Sequence, residues 1–313
     1  MYKTVCVPID NSEHSNAAMR LGVQLGKGFG SKMVGTHVYA AKLHDVRFKQ
    51  MEFTLPDEYK EETELEKQRR IHDALIARGL MLISDSYLDV MKGLSEESGL
   101  EFEGKCIDGR TFEGLIGDVD ESDYDLIGLG ALGQGAVTQS KAGSVCERML
   151  RRVDLDTLVV RDIETETVSE DAAILVALDG SEWSWGALRA GVQLAKTHGR
   201  ELEIVAVQPA GAPGEALLDA HLALARKVAR AEGVVVRAVL LEGAVASMLQ
   251  SHLERSEPWM VVVGRSGADT NKEKAALGSI PEYLIRNSPS NVLVVARTWR
   301  PADQVGDAGR AVA

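Results

Sequence analysis

Cysteine is scarce in this chain, three residues among 313, and Cys6, Cys106 and Cys146 stand far apart without a CxxC spacing. That excludes a disulfide framework and a cysteine-based zinc site. No stretch approaches the roughly 18 consecutive apolar residues that a membrane span requires. The N-terminal MYKTVCVPID lacks the basic-then-apolar order of a secretory signal, so a cytoplasmic protein is expected. Positive charge is in deficit: 35 Lys and Arg against 47 Asp and Glu leave a net charge of −12. A broad electrostatic grip on nucleic acid or on an anionic membrane is therefore excluded, which leaves small ligands and protein partners. The histidines (His14, His37, His44, His72, His198, His221 and His252) show no HxH or HExxH spacing, so no metal centre is expected. A G-x-S-x-G elbow, a Walker lysine motif and a paired-carboxylate signature are all missing, and with them any visible machinery for fast turnover.

What the chain does have is itself twice. Residues 7 to 27, VPIDNSEHSNAAMRLGVQLGK, and 176 to 196, VALDGSEWSWGALRAGVQLAK, share twelve identities in twenty-one positions at a constant offset of 169. Each copy runs from an apolar strand, through an aspartate at its end, into a helix. Self-similarity at this scale predicts two related α/β domains, and the length suits two cores of about 150 residues each. The boundaries read as 1–162 for the first domain, 163–170 for an acidic polar linker, 171–298 for the second domain and 299–313 for a loose tail.

Strand-like runs alternate with helical patterns in both halves. The first half has Thr4 to Ile9, Lys32 to Tyr39, Glu101 to Ile107, Asp125 to Gly130 and Thr157 to Arg161. The second has Ala173 to Leu178, Glu201 to Val207, Val234 to Leu240, Trp259 to Gly264 and Asn291 to Ala296. Five strands separated by helices predict a parallel sheet in each half, with helices on both faces. Consecutive apolar residues such as Leu293-Val294-Val295 are those of strands buried on both sides. Ala18, Leu21, Gly22 and Leu25 form the sheet-facing stripe of the first helix. About 35 extra residues lie between the second and third strands of the first half. Most of this insertion reads as helix, with Ile76, Leu80, Ile83, Tyr87, Val90 and Leu94 as a packing seam against its own sheet or a partner.

The chemistry-bearing signal follows the fourth strand. Gly130, Gly133, Gly143 and Ser144 form G-x2-G-x9-G-S directly before a helix that includes Val145; Gly264, Gly267, Gly278 and Ser279 repeat it with ten residues in place of nine. Glycines let backbone approach an anion, and a helix start offers unpaired N–H donors. Each part also has a plain structural reading. Ser144 with Glu147, and Ser279 with Glu282, fit capping boxes; Gly130 and Gly264 fit strand-end turns; Asp10 and Asp179 fit a helix cap or an Asx turn. Nearby positive charge comes from Lys141 in the first half and from Arg265, Lys272 and Lys274 in the second. Cys146, in the first turn of the following helix, is placed for a lowered pKa and redox sensing, or else is an inert buried thiol.

On these motifs, from Tyr2 to Arg297, the chain resembles tandem-domain members of the universal stress protein family. The resemblance implies a Rossmann-like fold of the adenine nucleotide alpha hydrolase type and a bound adenine nucleotide, ATP or a relative, with Mg as its companion ion. It implies that the nucleotide is held by Asp10, by backbone near Val38 and by Gly130, Gly133, Gly143, Ser144 and Val145. The counterparts in the second half are Asp179, Val207, Gly264, Gly267, Gly278 and Ser279. It further implies halves paired through their fifth strands as an intrachain pseudo-dimer, with homodimerisation and an unidentified protein partner beyond that. ATP pyrophosphatases of similar fold carry an SGGxDS-like loop after the first strand, where this chain has DNSEHS and DGSEWS. The expectation is a nucleotide-binding regulator with at most slow ATP hydrolysis; the competing one is an interaction or dimerisation module that binds no nucleotide.

Overall fold

A computed structural model of the chain describes residues 1–41, 49–134, 141–164, 169, 171–211, 215–267 and 277–301. The first half runs β1 Thr4–Pro8, α1 Glu13–Phe29, β2 Lys32–Tyr39, α2 Glu62–Glu97, β3 Phe102–Asp108, α3 Thr111–Asp120, β4 Leu126–Gly130, α4 Ser144–Arg152 and β5 Asp156–Val160. The second repeats it with β6 Ile174–Ala177, α5 Glu182–His198, β7 Leu202–Gln208, α6 Glu215–Ala231, β8 Val236–Glu242, α7 Val245–Ser256, β9 Met260–Gly264, α8 Ser279–Asn287 and β10 Asn291–Val295. Each predicted strand falls within two residues of an observed one, because strands buried on both faces are marked by unbroken apolar runs.

The two five-stranded sheets are joined. The strand order is β3-β2-β1-β4-β5-β10-β9-β6-β7-β8, one ten-stranded sheet. All pairings are parallel except the central one, where Val292, Leu293 and Val294 of β10 lie antiparallel to Val159, Leu158 and Thr157 of β5. The join is therefore made through the fifth strands, in one chain. Two apolar layers cover the sheet continuously across it. On one face α1, α2, α5 and α6 pack over residues such as Val5, Leu126, Val176 and Leu293. On the other, α3, α4, α7 and α8 pack over Ile127, Val159, Val261 and Val294.

Polar contacts tie the seam at both faces. Asp156, whose side chain is fully buried, accepts from Tyr2 Oη at 2.8 Å and from Arg297, and its other oxygen accepts the Ala296 amide at 3.0 Å. Glu147 of α4 pairs with Arg286 of α8, and Glu282 of α8 with Arg151 of α4, at 2.9 and 2.7 Å. Trp299, expected in the tail, is buried; its amide donates to Glu182 O at 3.0 Å and its ring meets Trp185. Residues 302–313 of the expected tail, and 165–168 and 170 of the expected linker, lie outside the described residues.

The insertion is the 36-residue α2, but its buried face differs from the expected seam. Ser84, Leu88, Met91 and Ser95 are buried, Tyr87 and Leu94 pack at the margin, and Ile83 and Val90 are 45% and 55% exposed. Two serines occupy the inward face here, and of the expected seam Tyr87 and Leu94 are the residues that meet this core.

His198, at the C-terminal end of α5, packs between Phe29 of α1 and the buried Trp259 with no partner for Nε2 among the described residues. Burial, reinforced by Arg200, pushes its pKa down to about 4. The unfolded chain takes up a proton below about pH 6.5 that the folded chain refuses until about pH 4. Stability should therefore fall across that window and level off beneath it, by on the order of 2 kcal/mol after discounting partial exposure. Urea unfolding at pH 7 and pH 4.5 checks this: the gap between wild type and His198→Met should shift by that amount in the variant's favour at low pH. Parallel pH profiles would refute the assignment.

Candidate functional site

Strand order reverses between β1 and β4 in the first half and between β6 and β9 in the second. Open parallel sheets bind ligands beyond the carboxyl ends of the strands at such points. Each half has a crevice there, of about 450 Å³ in the first and 460 Å³ in the second. Asp10, Val38, Gly130, Gly133, Gly143, Ser144 and Val145 all line the first. Asp179, Val207, Gly264, Gly267, Gly278 and Ser279 all line the second. The fold thus brings together, in each half, the residues that the resemblance assigned to a nucleotide.

The aspartates are held by local chain geometry. Asp10 Oδ1 accepts the Ser12 amide at 3.0 Å and Asp179 Oδ1 accepts the Ser181 amide at 2.9 Å, an Asx turn in both copies. The residue between takes a left-handed conformation, with φ +59° at Asn11 and +85° at Gly180. Helix capping falls to the next residue: Ser12 and Ser181 accept from the amides of Ser15 and Ser184 at 3.2 and 3.1 Å. Asp10 Oδ2 is left to face the crevice, where it accepts the Gln134 amide at 3.2 Å. Ser12 and Ser15 were missed as site-forming residues, although D-x-S-x-x-S stands in both copies and was the available signal.

The glycine loop closes onto this aspartate. A Cβ on Gly133 would sit 2.7 Å from Asp10 Oδ2 and would displace the carboxylate, and one on Gly267 would press on Asp179 Oδ2 at 3.1 Å. Gly130 serves the packing of the fold instead. A Cβ there would fall 2.8 Å from backbone atoms of His14 and Ser15, so its absence admits the start of α1. The far end of the loop returns through Gly143, whose amide donates to Ala131 O at 2.7 Å.

The capping boxes do not form. Gly143 and Gly278 are the N-caps, with no side-chain cap bond, and Ser144 and Ser279 are the first helical residues. Glu147 and Glu282 are drawn away into the ion pairs across the seam. The amides of Ser144, Val145 and Cys146 precede the first helical bond, Glu147 N to Gly143 O, and have no partner among the described residues. In the second half Pro281 occupies the third of these positions and has no N–H to offer.

Side-chain cations contribute less than expected. Lys141 Nζ reaches Asn287 Oδ1 at 2.8 Å and does not line the crevice. Arg265 is buried and donates to Val153 O and Arg151 O at the end of α4, so it caps a helix of the other half. Arg161 does the converse, donating to Ser288 O at 2.6 Å and to Ile285 O at the end of α8. Lys272 and Lys274 lie outside the described residues. Burial pushes His14 and His37 below the usual imidazole range, which keeps both neutral at pH 7. Among the described residues, anion-binding capacity in the first crevice rests on backbone amides and the macrodipole of α4.

The crevice walls differ between the halves. Thr36 and Thr111 line the first crevice where Val205 and Val245 line the second. Thr36 Oγ1 donates to the buried Asp118 at 3.1 Å, which Lys105 neutralises at 2.8 Å. Leu115 and Leu249 occupy matching places.

Cys146 also lines the first crevice but is not activated. It is buried, and desolvation, aided by Glu147, pushes its thiol up to about 12, which outweighs the helix-start effect. Cys6 is pushed up to about 12 in the same way. Iodoacetamide at pH 8, read by peptide mass spectrometry, should label Cys106, the exposed thiol, and leave Cys6 and Cys146 unmodified. Rapid labelling of Cys146 would restore the redox reading.

The model of the universal stress protein family matches residues 1–161 and again 172–296. A universal stress protein of Methanocaldococcus jannaschii is 30% identical over 139 residues, which cover 40% of this chain and 81% of that protein. The crystal structure of a universal stress protein from Archaeoglobus fulgidus superposes with a TM-score of 0.63 at 20% identity, covering 93% of this chain and 97% of that one. A putative universal stress protein from Pseudomonas aeruginosa gives 0.60 at 14% identity, covering 94% and 93%. At those identities the two structures speak for the fold.

Proposed function

The chain belongs to the universal stress protein family, and from that membership and the geometry of its first crevice we propose that it is a regulator whose occupancy by an adenine nucleotide, ATP foremost, sets its conformation or its choice of partner. The observation that carries this reading is that three amides at the start of α4, unpartnered among the described residues, line the same crevice as a carboxylate that Gly133 approaches closely. Nothing in the fold itself requires Gly133 to lack a side chain except the approach of that loop to Asp10.

Asp10 would accept from ribose hydroxyls or the adenine edge, and Val38 would meet the base through its backbone and side chain. The amides of Ser144, Val145 and Cys146 would take the phosphates, with the Ser144 hydroxyl as a further donor. Magnesium would come as the counterion of the polyphosphate. Among the described residues no side chain in the crevice is placed as a general base: His37 Nδ1 is engaged with Ser84 Oγ at 2.7 Å, and Asp10 is tied by two amides. Binding without fast hydrolysis suits a switch, which needs only a ligand that prefers one loop conformation.

The second crevice would be the weaker nucleotide site. It lacks the third amide at Pro281 and carries one more loop residue. Its remaining counterparts, Asp179, Val207, Gly264, Gly267, Gly278 and Ser279, would serve the same roles.

Isothermal titration of ATP into the full chain tests both statements. Gly133→Val and Gly143→Val should each weaken the tighter class of sites about a hundredfold, ~2.7 kcal/mol, with Asp10→Ala in the same direction. Gly278→Val should leave that class unchanged. No heat with wild type at millimolar ATP would favour the nucleotide-free interaction module, in which Asp10 serves only its Asx turn and loop contact.

A further inference from the structure

The insertion gives the first half a helix far longer than its sheet. At 1.5 Å per residue, the 36 residues of α2 extend about 54 Å, roughly twice the length of the eight-residue β2 on which it packs. Its buried residues are Leu65, Ser84, Leu88, Met91 and Ser95, so none of the eighteen residues from Glu66 to Ile83 is buried. Cover on this segment is partial, as at Arg69, which pairs with Glu52 at 2.6 Å. Its free side is apolar: Ile71, Leu75, Leu82 and Val90 are 47%, 66%, 71% and 55% exposed. Single exposed apolar residues are ordinary, whereas a contiguous row along a helix marks an interaction surface.

The row has an internal order that selects its partner. Leu75, Gly79, Leu82 and Ser86 step by four, three and four on the side turned away from the buried face, with Gly93 one heptad beyond Ser86. Large and small residues alternate, and Cβ atoms added at Gly79 and Gly93 would meet open space. If a second α2 lies antiparallel about a two-fold axis between Gly79 and Leu82, each Leu82 faces the Gly79 of the other copy. Each Leu75 then faces a Ser86, and Gln68 faces Gly93. The flanks agree as well. On one side Ile76 comes beside Ile83 of the other copy; on the other, the exposed Arg78 comes beside the exposed Asp85, and both contacts recur by symmetry. A like-charge flank would have opposed this register. An arbitrary partner surface explains the apolar row but not the match of leucine to glycine and of arginine to aspartate within one segment.

We infer that two copies of this chain associate through α2, as an antiparallel helix pair centred on Gly79 and Leu82. The central β5–β10 seam is already used inside the chain, so this interface is separate from it. It does not depend on nucleotide binding.

Light scattering coupled to size exclusion, on the full chain at tens of micromolar, reads the result. Wild type should show twice the 33.8 kDa of one chain. Leu82→Glu should give the monomer mass with unchanged circular dichroism. Arg78→Asp alone and Asp85→Arg alone should each weaken the dimer at least tenfold, and the double variant should recover it, a rescue that misfolding cannot imitate. A monomeric wild type overturns the inference, as does a dimer indifferent to Leu82→Glu or a charge swap that fails to restore association.

Discussion

The antiparallel pairing of β5 with β10 is the constraint on which the arrangement of this molecule depends. Fifth strands with apolar residues on both faces cannot be left as sheet edges without inviting association. Joining them inside one chain buries both, merges the apolar layers of the halves and fixes α4 beside α8. The polar groups around the seam follow from that placement. The helix-end carbonyls of α4 and α8 are each satisfied by an arginine of the opposite half, Arg265 and Arg161, and the acidic residues of each first turn pair with an arginine of the other helix. Residues that in an isolated domain would be free to serve a phosphate are committed to holding the halves together.

That commitment shapes the crevices. With Arg265 and Arg161 engaged, and Lys141 turned to Asn287, none of these three cations lines the first crevice, whose lining includes the first-turn residues of α4, glycines, neutral polar side chains and the Asp10 carboxylate. Fixed backbone dipoles need no reorganisation when an anion arrives, and they impose a geometry that a flexible lysine does not. The duplication has also let the halves diverge. Threonines at 36 and 111 stand against valines at 205 and 245, and an amide at Cys146 against the ring nitrogen of Pro281. One scaffold therefore carries two crevices of equal size and unequal polarity, and only one half carries the long helix.

Much of this was legible in the sequence. The repeat at an offset of 169 announced the duplicated unit, and the apolar runs placed the strands because double-sided burial leaves no room for alternation. Glycine spacing before a helix gathered the residues that line each crevice. Where the reading failed, a contact remote in sequence had intervened. Ser144 looked like a cap until Glu147 was taken by Arg286, 139 residues away; Arg265 looked like a phosphate ligand until the end of α4 claimed it. Trp299 looked like tail until Trp185 and Glu182 covered it. On α2 the buried side includes serines that apolar periodicity does not mark: Ser84 meets His37 and Ser95 bonds back to Met91 O.

By itself, then, the sequence determined the two α/β units, the order of their elements and the loops that carry the candidate chemistry. Those are consequences of local periodicity and of backbone freedom at particular glycines, which act over a few residues. Tertiary structure alone decided which charged side chains spend themselves on the seam and which face of the long helix is left uncovered. Such outcomes turn on the competition of distant groups for the same carboxylates and carbonyls, and no short-range pattern encodes the winner.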